Sequence, residues 1–145
     1  VYHRLRPARF IPVAAPALFG DTAPPAPAAF RDYPLLHPSH DDNFWHHWFT
    51  LAGVPVSGNL DAYTFDTLDL AITATLRGMG ITLADESMIG EELANGSLIA
   101  LSDIALQTEW AYYLIYPQEL ADLPSVIAFR DWALAEFAEA SAGTG

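Results

Sequence analysis

The chain has 145 residues, of which 52% are hydrophobic and 17% charged, and this balance predicts one folded domain rather than a disordered chain. The 18 Asp and Glu residues against 6 Lys and Arg give a formal net charge of −12, which repels phosphates and predicts that this chain does not bind nucleic acid by itself. The chain has no Cys, which excludes disulfides, thiolate zinc sites and a cysteine nucleophile.

The first half of the chain predicts two strands and a helix. Residues 9–15 form an apolar run that ends at Pro16, which is typical of a buried strand, and the Pro- and Ala-rich stretch after it predicts an irregular connection. Residues 33–37 predict a second short strand. Residues 43–52 predict a helix with a wide aromatic stripe that packs into the core and ends at Gly53.

The second half continues the alternation. Residues 59–65 alternate in a strand pattern, and Asp66 and Thr67 then predict the N-cap region of a helix over residues 68–77. The remaining predicted elements are strands at 81–84, 98–101 and 111–116, a short helix at 87–94, and a helix that begins at Pro124. This order predicts an α/β layered fold with a mostly parallel sheet, and residues 140–145 are predicted to be a disordered tail.

No catalytic arrangement stands out in the sequence. It contains no G-x-S-x-G elbow, no glycine-rich phosphate loop and no H-E-x-x-H motif. Acidic pairs such as Glu91 with Glu92 lie in polar stretches of predicted helix or loop. Such pairs are typical of solvent-exposed faces and do not indicate catalysis. We therefore predict that the chain is not an enzyme and needs no cofactor.

Histidines crowd into residues 37–47 beside two Asp residues, and imidazole with carboxylate is the usual ligand set for Zn, Ni or Cu. However, His46 and His47 are adjacent on a predicted helix and point about 100° apart, and the H-x-x-x-H pair that holds one ion on a helix is absent. Solvated histidines around a helix cap are the favoured interpretation, so no metal site is predicted. A metal-responsive domain that uses this cluster is the alternative.

The turn at residues 65–67 leads a predicted strand into a helix N-terminus. The N–H groups there lack partners within the helix and, with the helix dipole, favour an anion, so a carboxylate-bearing ligand is the natural occupant. The alternative is that Asp66 or Thr67 only caps the helix. Because an ionised Asp66 would disfavour an anion, Thr67 is the preferred binding residue.

Four segments in chain order resemble the C-terminal half of the effector domain of LysR-type transcriptional regulators. They are WHHWFTLAG at 45–53, FDTLDLAITATLRGMGITL at 65–83, ELANGSL at 92–98 and AYYLIYPQELADLPSVIAFRDWALAE at 111–136. In that family these look like W-x-x-W-F-x-x-A-G, F-[DE]-[ST] with a following G-x-G-[IV]-[AT]-L, E-L-x-x-G-x-L, and a tyrosine-rich strand leading to F-R-x-W-L. The most similar subgroup contains the glycine-cleavage and β-lactamase regulators.

The resemblance implies an α/β fold of the type II periplasmic-binding-protein-like kind, in which two lobes are joined by a hinge and the effector lies between them. On this mapping residues 1–109 form the second lobe, and residues 110–139 return to the first lobe as its C-terminal strand and helix. Most of the first lobe and the winged helix-turn-helix domain are expected to precede Val1. DNA is then expected to be bound only through that absent domain.

The resemblance also implies site residues. It places the hydroxyl residue Thr67 at the effector site, with Phe65 and Asp66 in the same turn. Tyr112 and Tyr113 point to opposite faces of a strand, and the resemblance implies that Tyr112 contacts the effector. His37, at the end of a strand that leads to the same place, is a further ligand candidate. The implied function is to sense a small carboxylate-bearing effector and to control DNA binding.

The expected partners are a small-molecule effector and further copies of the protein in a homodimer or tetramer, with the helix over residues 68–77 as the expected contact. The competing interpretation is a free-standing solute-binding protein of the same fold, which requires an export signal and a complete first lobe. Residues 1–10 lack the apolar stretch of a signal peptide, and no apolar run reaches the ~18 residues of a membrane span. A cytoplasmic protein without a membrane partner is therefore expected.

Overall fold

The computed structural model describes residues 1–38 and 43–142. It divides into two compact units: Arg9–Leu106, and Val1–Ala8 together with the segment from Gln107 onward. The sequence-based mapping instead grouped residues 1–109 in one lobe. Val1–Ala8 joins the C-terminal segment because the Val1 amine donates to the Tyr116 carbonyl at 2.9 Å and the Tyr116 N–H donates back to the Val1 carbonyl at 3.1 Å.

The elements follow the predicted order with shifted ends. The strands are β1 (Tyr2–Ala14), β2 (Leu35–His37), β3 (Ala62–Thr64), β4 (Ile81–Asp85), β5 (Ile99–Ala100) and β6 (Leu106–Ile115). The α-helices are α1 (Asn43–Leu51), α2 (Leu68–Leu76), α3 (Gly90–Asn95) and α4 (Pro124–Ala142). Short 3-10 segments lie at Pro16–Leu18, Pro27–Asp32, Glu86–Met88 and Gln118–Leu120.

The sheet is mixed, so the prediction of a mostly parallel sheet is wrong. Its strand order is β3-β2-β4-β1-β5, with β6 also paired to β1. β2 runs parallel to both β3 and β4, whereas β1 is antiparallel to both β4 and β5. β4 and β5 therefore share a direction, as a helical crossover between them requires, but β1 lies between them and runs the opposite way. Alternation of strands and helices along the chain does not reveal such an insertion.

The aromatic face of α1 lies in the core, as predicted. Phe44, Trp45, Trp48 and Phe49 are buried, and each such side chain contributes roughly 1.5–3 kcal/mol through burial. The Trp45 indole N–H donates to the Leu36 carbonyl at 3.0 Å, and the Trp48 indole N–H donates to the Ile104 carbonyl at 2.9 Å. Because both indole donors are satisfied, the two tryptophans attach α1 to its surroundings without an unpaired buried N–H.

Helix α2 packs by its small side chains. Ala71, Ile72, Ala74 and Thr75 are buried, and the Thr75 hydroxyl donates to the Ala71 carbonyl at 2.7 Å. Ile72 contributes to an apolar cluster of this unit with Ile11, Val13, Ala84, Ile89 and Leu98. The cluster brings together β1, β4 and α2 and so holds the helix at the sheet.

The unit that contains Val1–Ala8 comprises the first part of β1, most of β6 and the helix α4. In it the Arg6 guanidinium lies 5.9 Å from the centre of the Tyr112 ring, and His3 Nε2 lies 2.9 Å from the Tyr116 hydroxyl. The Arg130 guanidinium donates to the Asp131 carboxylate, and its hydrogen bonds with Asp131 and with Tyr116 raise the pKa of Arg130. Residues 140–142 belong to α4, which corrects the predicted tail, and residues 143–145 lie outside the described residues. Within the described residues no helix is both long and apolar enough to cross a membrane.

Candidate functional site

Two parallel strands end side by side at one edge of the sheet. β2 and β3 pair in the register Leu35 with Ala62 and His37 with Thr64, so the last residues of both strands are neighbours. The next element after β2 is α1, and the next after β3 is α2. In open α/β sheets, ligands bind outside the carboxyl ends of such strands, so this edge is the first place to search for a site.

The turn between β3 and α2 begins with a backbone bond to β2. The Phe65 N–H donates to the His37 carbonyl at 3.2 Å, and Phe65 is half-buried. Thr67 is the N-cap of α2: its backbone is extended (φ −137°, ψ 155°), and its hydroxyl accepts from the Leu70 N–H at 3.3 Å. The predicted capping role is thus confirmed. Thr67 is also exposed, so its hydroxyl is accessible as well as capping.

Two exposed carboxylates flank this helix N-terminus. Asp66 precedes the cap and Asp69 lies in the first turn of α2. Carboxylates at this end of a helix interact favourably with its dipole and with its first N–H groups, and they therefore compete with an incoming anion. A ligand carboxylate at the turn must bind close enough to Thr67 and the first backbone N–H groups to offset this repulsion.

A cavity of ≈ 370 Å³ lies beside the same strand ends. His37, His46, Asn59, Leu60, Asp61, Ala62 and Thr64 line it. His37 is 4% exposed and His46 is half-buried, whereas Asn59, Asp61 and Thr64 are exposed. The cavity thus combines two imidazoles, a carboxylate, an amide and a hydroxyl, and can both donate and accept hydrogen bonds.

A second concavity, of ≈ 480 Å³, lies at the end of α1. Thr50, Gly53, Val54, Pro55, Val56 and Ser57 line it. Two hydroxyls are its only polar side chains among these residues, and none of the six carries a charge. It therefore offers little chemistry by which to recognise a polar ligand.

The structure brings some of the predicted site residues together. His37 lines the cavity, and the turn formed by Phe65, Asp66 and Thr67 is bonded to the His37 carbonyl through Phe65. Tyr112 lies in the other unit, half-buried, beside Arg6. Its neighbour Tyr113 is 45% exposed and contacts the Tyr2 ring at 6.2 Å between centroids, so the two tyrosines differ in environment.

Sequence reasoning missed Asn59, Asp61 and Thr64 as cavity residues. The alternating pattern over residues 59–65 predicted one strand, but β3 covers only Ala62–Thr64. Asn59 and Asp61 therefore lie in the loop that leads to the strand. Gly58, with a φ of 79°, marks a turn directly before Asn59, and this Gly-Asn pair was the signal that could have moved the predicted start of the strand.

The histidine cluster is only partly described. His46 lines the cavity and is half-buried, whereas His47 is exposed, which agrees with their predicted divergence on α1. His40, Asp41 and Asp42 lie outside the described residues. Within residues 1–38 and 43–142, no three His, Asp or Glu side chains are placed to hold one metal ion.

Comparison with known proteins gives curated relatives that regulate transcription. The chain is 30% identical over 110 residues to the transcriptional activator AmpR of Pseudomonas aeruginosa, covering 75% of this chain and 36% of that protein. It is 26% identical over 129 residues to the glycine cleavage system transcriptional activator of Escherichia coli K12, covering 88% of this chain and 42% of that protein. The chain therefore spans about two-fifths of the length of these relatives.

Solved structures show the same fold. The effector domain of AmpR from Pseudomonas aeruginosa superimposes with a TM-score of 0.82 at 26% identity, over 98% of this chain and 68% of that one. The regulatory domain of CrgA, a LysR-type regulator from Neisseria meningitidis, superimposes with a TM-score of 0.71 at 18% identity, over 94% of this chain and 68% of that one, which supports the fold alone. The family model described as the LysR substrate binding domain matches residues 1–138. The chain thus belongs to the LysR substrate-binding domain family, with its α/β, periplasmic-binding-protein-like fold.

Proposed function

We propose that this chain is the effector-sensing segment of a LysR-type transcriptional regulator. The family match over residues 1–138 is the observation that carries the proposal. The curated relatives are named as transcriptional activators. In the whole protein we expect a winged helix-turn-helix domain, and not the residues of this chain, to bind DNA. The net charge of −12 supports DNA binding outside this chain, because a surface this negative repels DNA. A regulator of this kind acts in the cytoplasm.

The proposed effector carries a carboxylate, which binds at the turn of Phe65, Asp66 and Thr67. Support comes from the position of this turn after a parallel strand, from the exposed Thr67 hydroxyl, and from the first N–H groups of α2. Phe65 offers a half-buried aromatic ring at the same turn, and His37 lies at the end of the adjoining strand. Asp66 suits an effector that also carries a positive group.

Tyr112 is a further proposed effector contact. This assignment depends on the likeness of β6 to the tyrosine-rich strand of the family and on the half-buried state of the ring. The Arg6 guanidinium against the same ring supplies a positive charge next to it. A Tyr112→Phe change tests the hydroxyl without removing the ring.

Effector binding can change the activity of the regulator only if the effector has different affinities for two states of the protein. We expect those states to differ in how copies associate, with α2 as the contact. Leu70 and Leu76 on α2 and Met79 just after it are 49%, 38% and 48% exposed, an apolar surface suited to a homodimer or tetramer. The coupling between effector and assembly is then a free energy of about 1–3 kcal/mol, as in other allosteric proteins.

The test is thermal melting of the chain with small carboxylates, amino acids and divalent metals. A carboxylate present at 100 times its Kd should stabilise the chain by about 2.7 kcal/mol, and Thr67→Val should abolish the shift in Tm. Thr67→Ser is the matched control, because it keeps the hydroxyl and should keep the shift. A shift with Zn²⁺ or Ni²⁺ but with no carboxylate would contradict the anion site and favour the histidine cluster.

A further inference from the structure

An asparagine stands directly before a glycine at the end of α3. Asn95 is the last residue of the helix, and Gly96 is its C-cap with a φ of 80°. Asn95, Gly96 and Ser97 are all exposed to solvent. A Cβ at Gly96 would have no atom within 4 Å, so no other part of the fold crowds this turn.

Ser97 makes two hydrogen bonds to the side-chain carbonyl of Asn95. The Ser97 backbone N–H donates to Asn95 Oδ1 at 2.9 Å, and the Ser97 hydroxyl donates to the same oxygen. Both donors draw electron density from the carbonyl and so make Asn95 Cγ more electrophilic. They also lie where negative charge develops on Oδ1 when a nucleophile attacks Cγ, which is the arrangement of an oxyanion hole.

A nucleophile for Asn95 Cγ is present in the main chain itself. The backbone nitrogen of Gly96 closes a succinimide ring when it bonds to Cγ, and a glycine at this position has no side chain to obstruct the closure. The last turn of α3 must rotate for the ring to form. Because α3 has only six residues and no side-chain cap at its N-terminus, this turn is weakly held.

We propose that Asn95 is a site of spontaneous deamidation, with Ser97 stabilising the oxyanion. The Gly96 nitrogen loses its proton to hydroxide and bonds to Asn95 Cγ, and the negative charge moves to Oδ1. The Cγ–Nδ2 bond then breaks, and ammonia leaves with a proton taken from water. Water opens the succinimide at either carbonyl and gives aspartate or isoaspartate. Overall, water replaces ammonia, and no oxidant or reductant takes part.

Either product changes the segment that joins α3 to β5. The new carboxylate lies at the C-terminus of α3, where the helix dipole disfavours negative charge. Isoaspartate also adds a methylene group to the main chain shortly before Leu98, which is 1% exposed and donates its N–H to the Glu92 carbonyl at 3.1 Å. Deamidation therefore weakens the attachment of Leu98 to the core. This modification does not depend on the effector proposed at the Thr67 turn.

The test is incubation of the chain in mildly alkaline buffer, followed by proteolytic digestion and mass spectrometry that distinguishes aspartate from isoaspartate. Asn95 should convert about tenfold faster than Asn43 and Asn59, because these two precede Phe44 and Leu60. Both are exposed, as Asn95 is, so burial does not account for the difference. They are therefore controls within the same molecule.

Variants test the role of Ser97 and the effect on the fold. Ser97→Ala removes the hydroxyl donor and should slow conversion of Asn95 about threefold. Ser57→Ala makes the same change at another exposed position and should leave the rate unchanged. The isoaspartyl form, separated by anion exchange, should have a lower Tm than the unmodified chain. A rate at Asn95 no higher than at Asn59, an equal rate in Ser97→Ala, or equal Tm values would overturn the proposal.

Discussion

The Phe65 N–H donates to the His37 carbonyl at 3.2 Å, one residue beyond the last register pair of His37 with Thr64. This bond extends the parallel ladder past the end of β3, so the start of the turn is attached to the end of β2. The Thr67 cap then follows within two residues. One backbone framework therefore holds both the capped turn and the buried imidazole.

Thr67→Val should destabilise the chain by about 1 kcal/mol, because the Leu70 N–H loses the hydroxyl that caps α2. Urea unfolding measures the change. Thr67→Ser keeps the cap and should stay within about 0.5 kcal/mol of the native chain. Thr73→Val, at an exposed position inside α2, is the control for valine in this helix. An equal loss in Thr67→Val and Thr73→Val would contradict a specific capping role.

Trp48→Phe should cost about 2–3 kcal/mol. The smaller ring leaves a cavity beside Phe30, whose ring stacks on Trp48 at 5.4 Å, and the Ile104 carbonyl loses its indole donor. Trp132→Phe makes the same chemical change at a side chain that is 57% exposed, and should change the free energy of unfolding by less than about 0.5 kcal/mol. Similar losses in the two variants would mean that the Trp48 contacts do not stabilise the core.

Gly80→Ala should destabilise the chain by about 3 kcal/mol. A Cβ at position 80 would lie 2.2 Å from the Pro34 carbonyl oxygen, which also accepts the Ile81 N–H at 2.9 Å, so the backbone between these segments must move. Gly90→Ala is the matched control, because a Cβ there has no atom within 4 Å. At the start of α3 that change should be neutral or stabilise the chain by up to about 1 kcal/mol. Chemical denaturation distinguishes the two variants.

Besides the contact proposed for α2, the isolated chain should self-associate through a second apolar surface, which lies on α4. Phe129 and Trp132 are 55% and 57% exposed and lie 5.5 Å apart between ring centres, which forms an apolar patch on the helix. Replacing both with Gln should raise the protein concentration at which light scattering detects oligomers. Leu51→Gln, at an exposed side chain of α1, should leave that concentration unchanged. Unchanged association in the double variant would contradict a role for this patch.

Local patterns in the sequence determined most of the secondary structure. The aromatic stripe of residues 43–52, ended by Gly53, predicted α1 within one residue, because its side chains recur at the period of a helix. The Asp66-Thr67 pair predicted the start of α2, because capping depends only on neighbouring atoms. Four segments in the right order also indicated the family, and the family model that matches residues 1–138 confirms it.

Contacts between distant residues decided the rest. The sequence did not predict that β1 lies between β4 and β5, because strand direction and order depend on pairing between residues some 70–90 positions apart. The sequence also did not predict that Asp61 lines the same cavity as His37 and His46. The loop before β3 has an alternating pattern, so it was predicted to be part of the strand. A one-dimensional pattern records which faces are apolar, but the sheet register determines which polar side chains share a cavity.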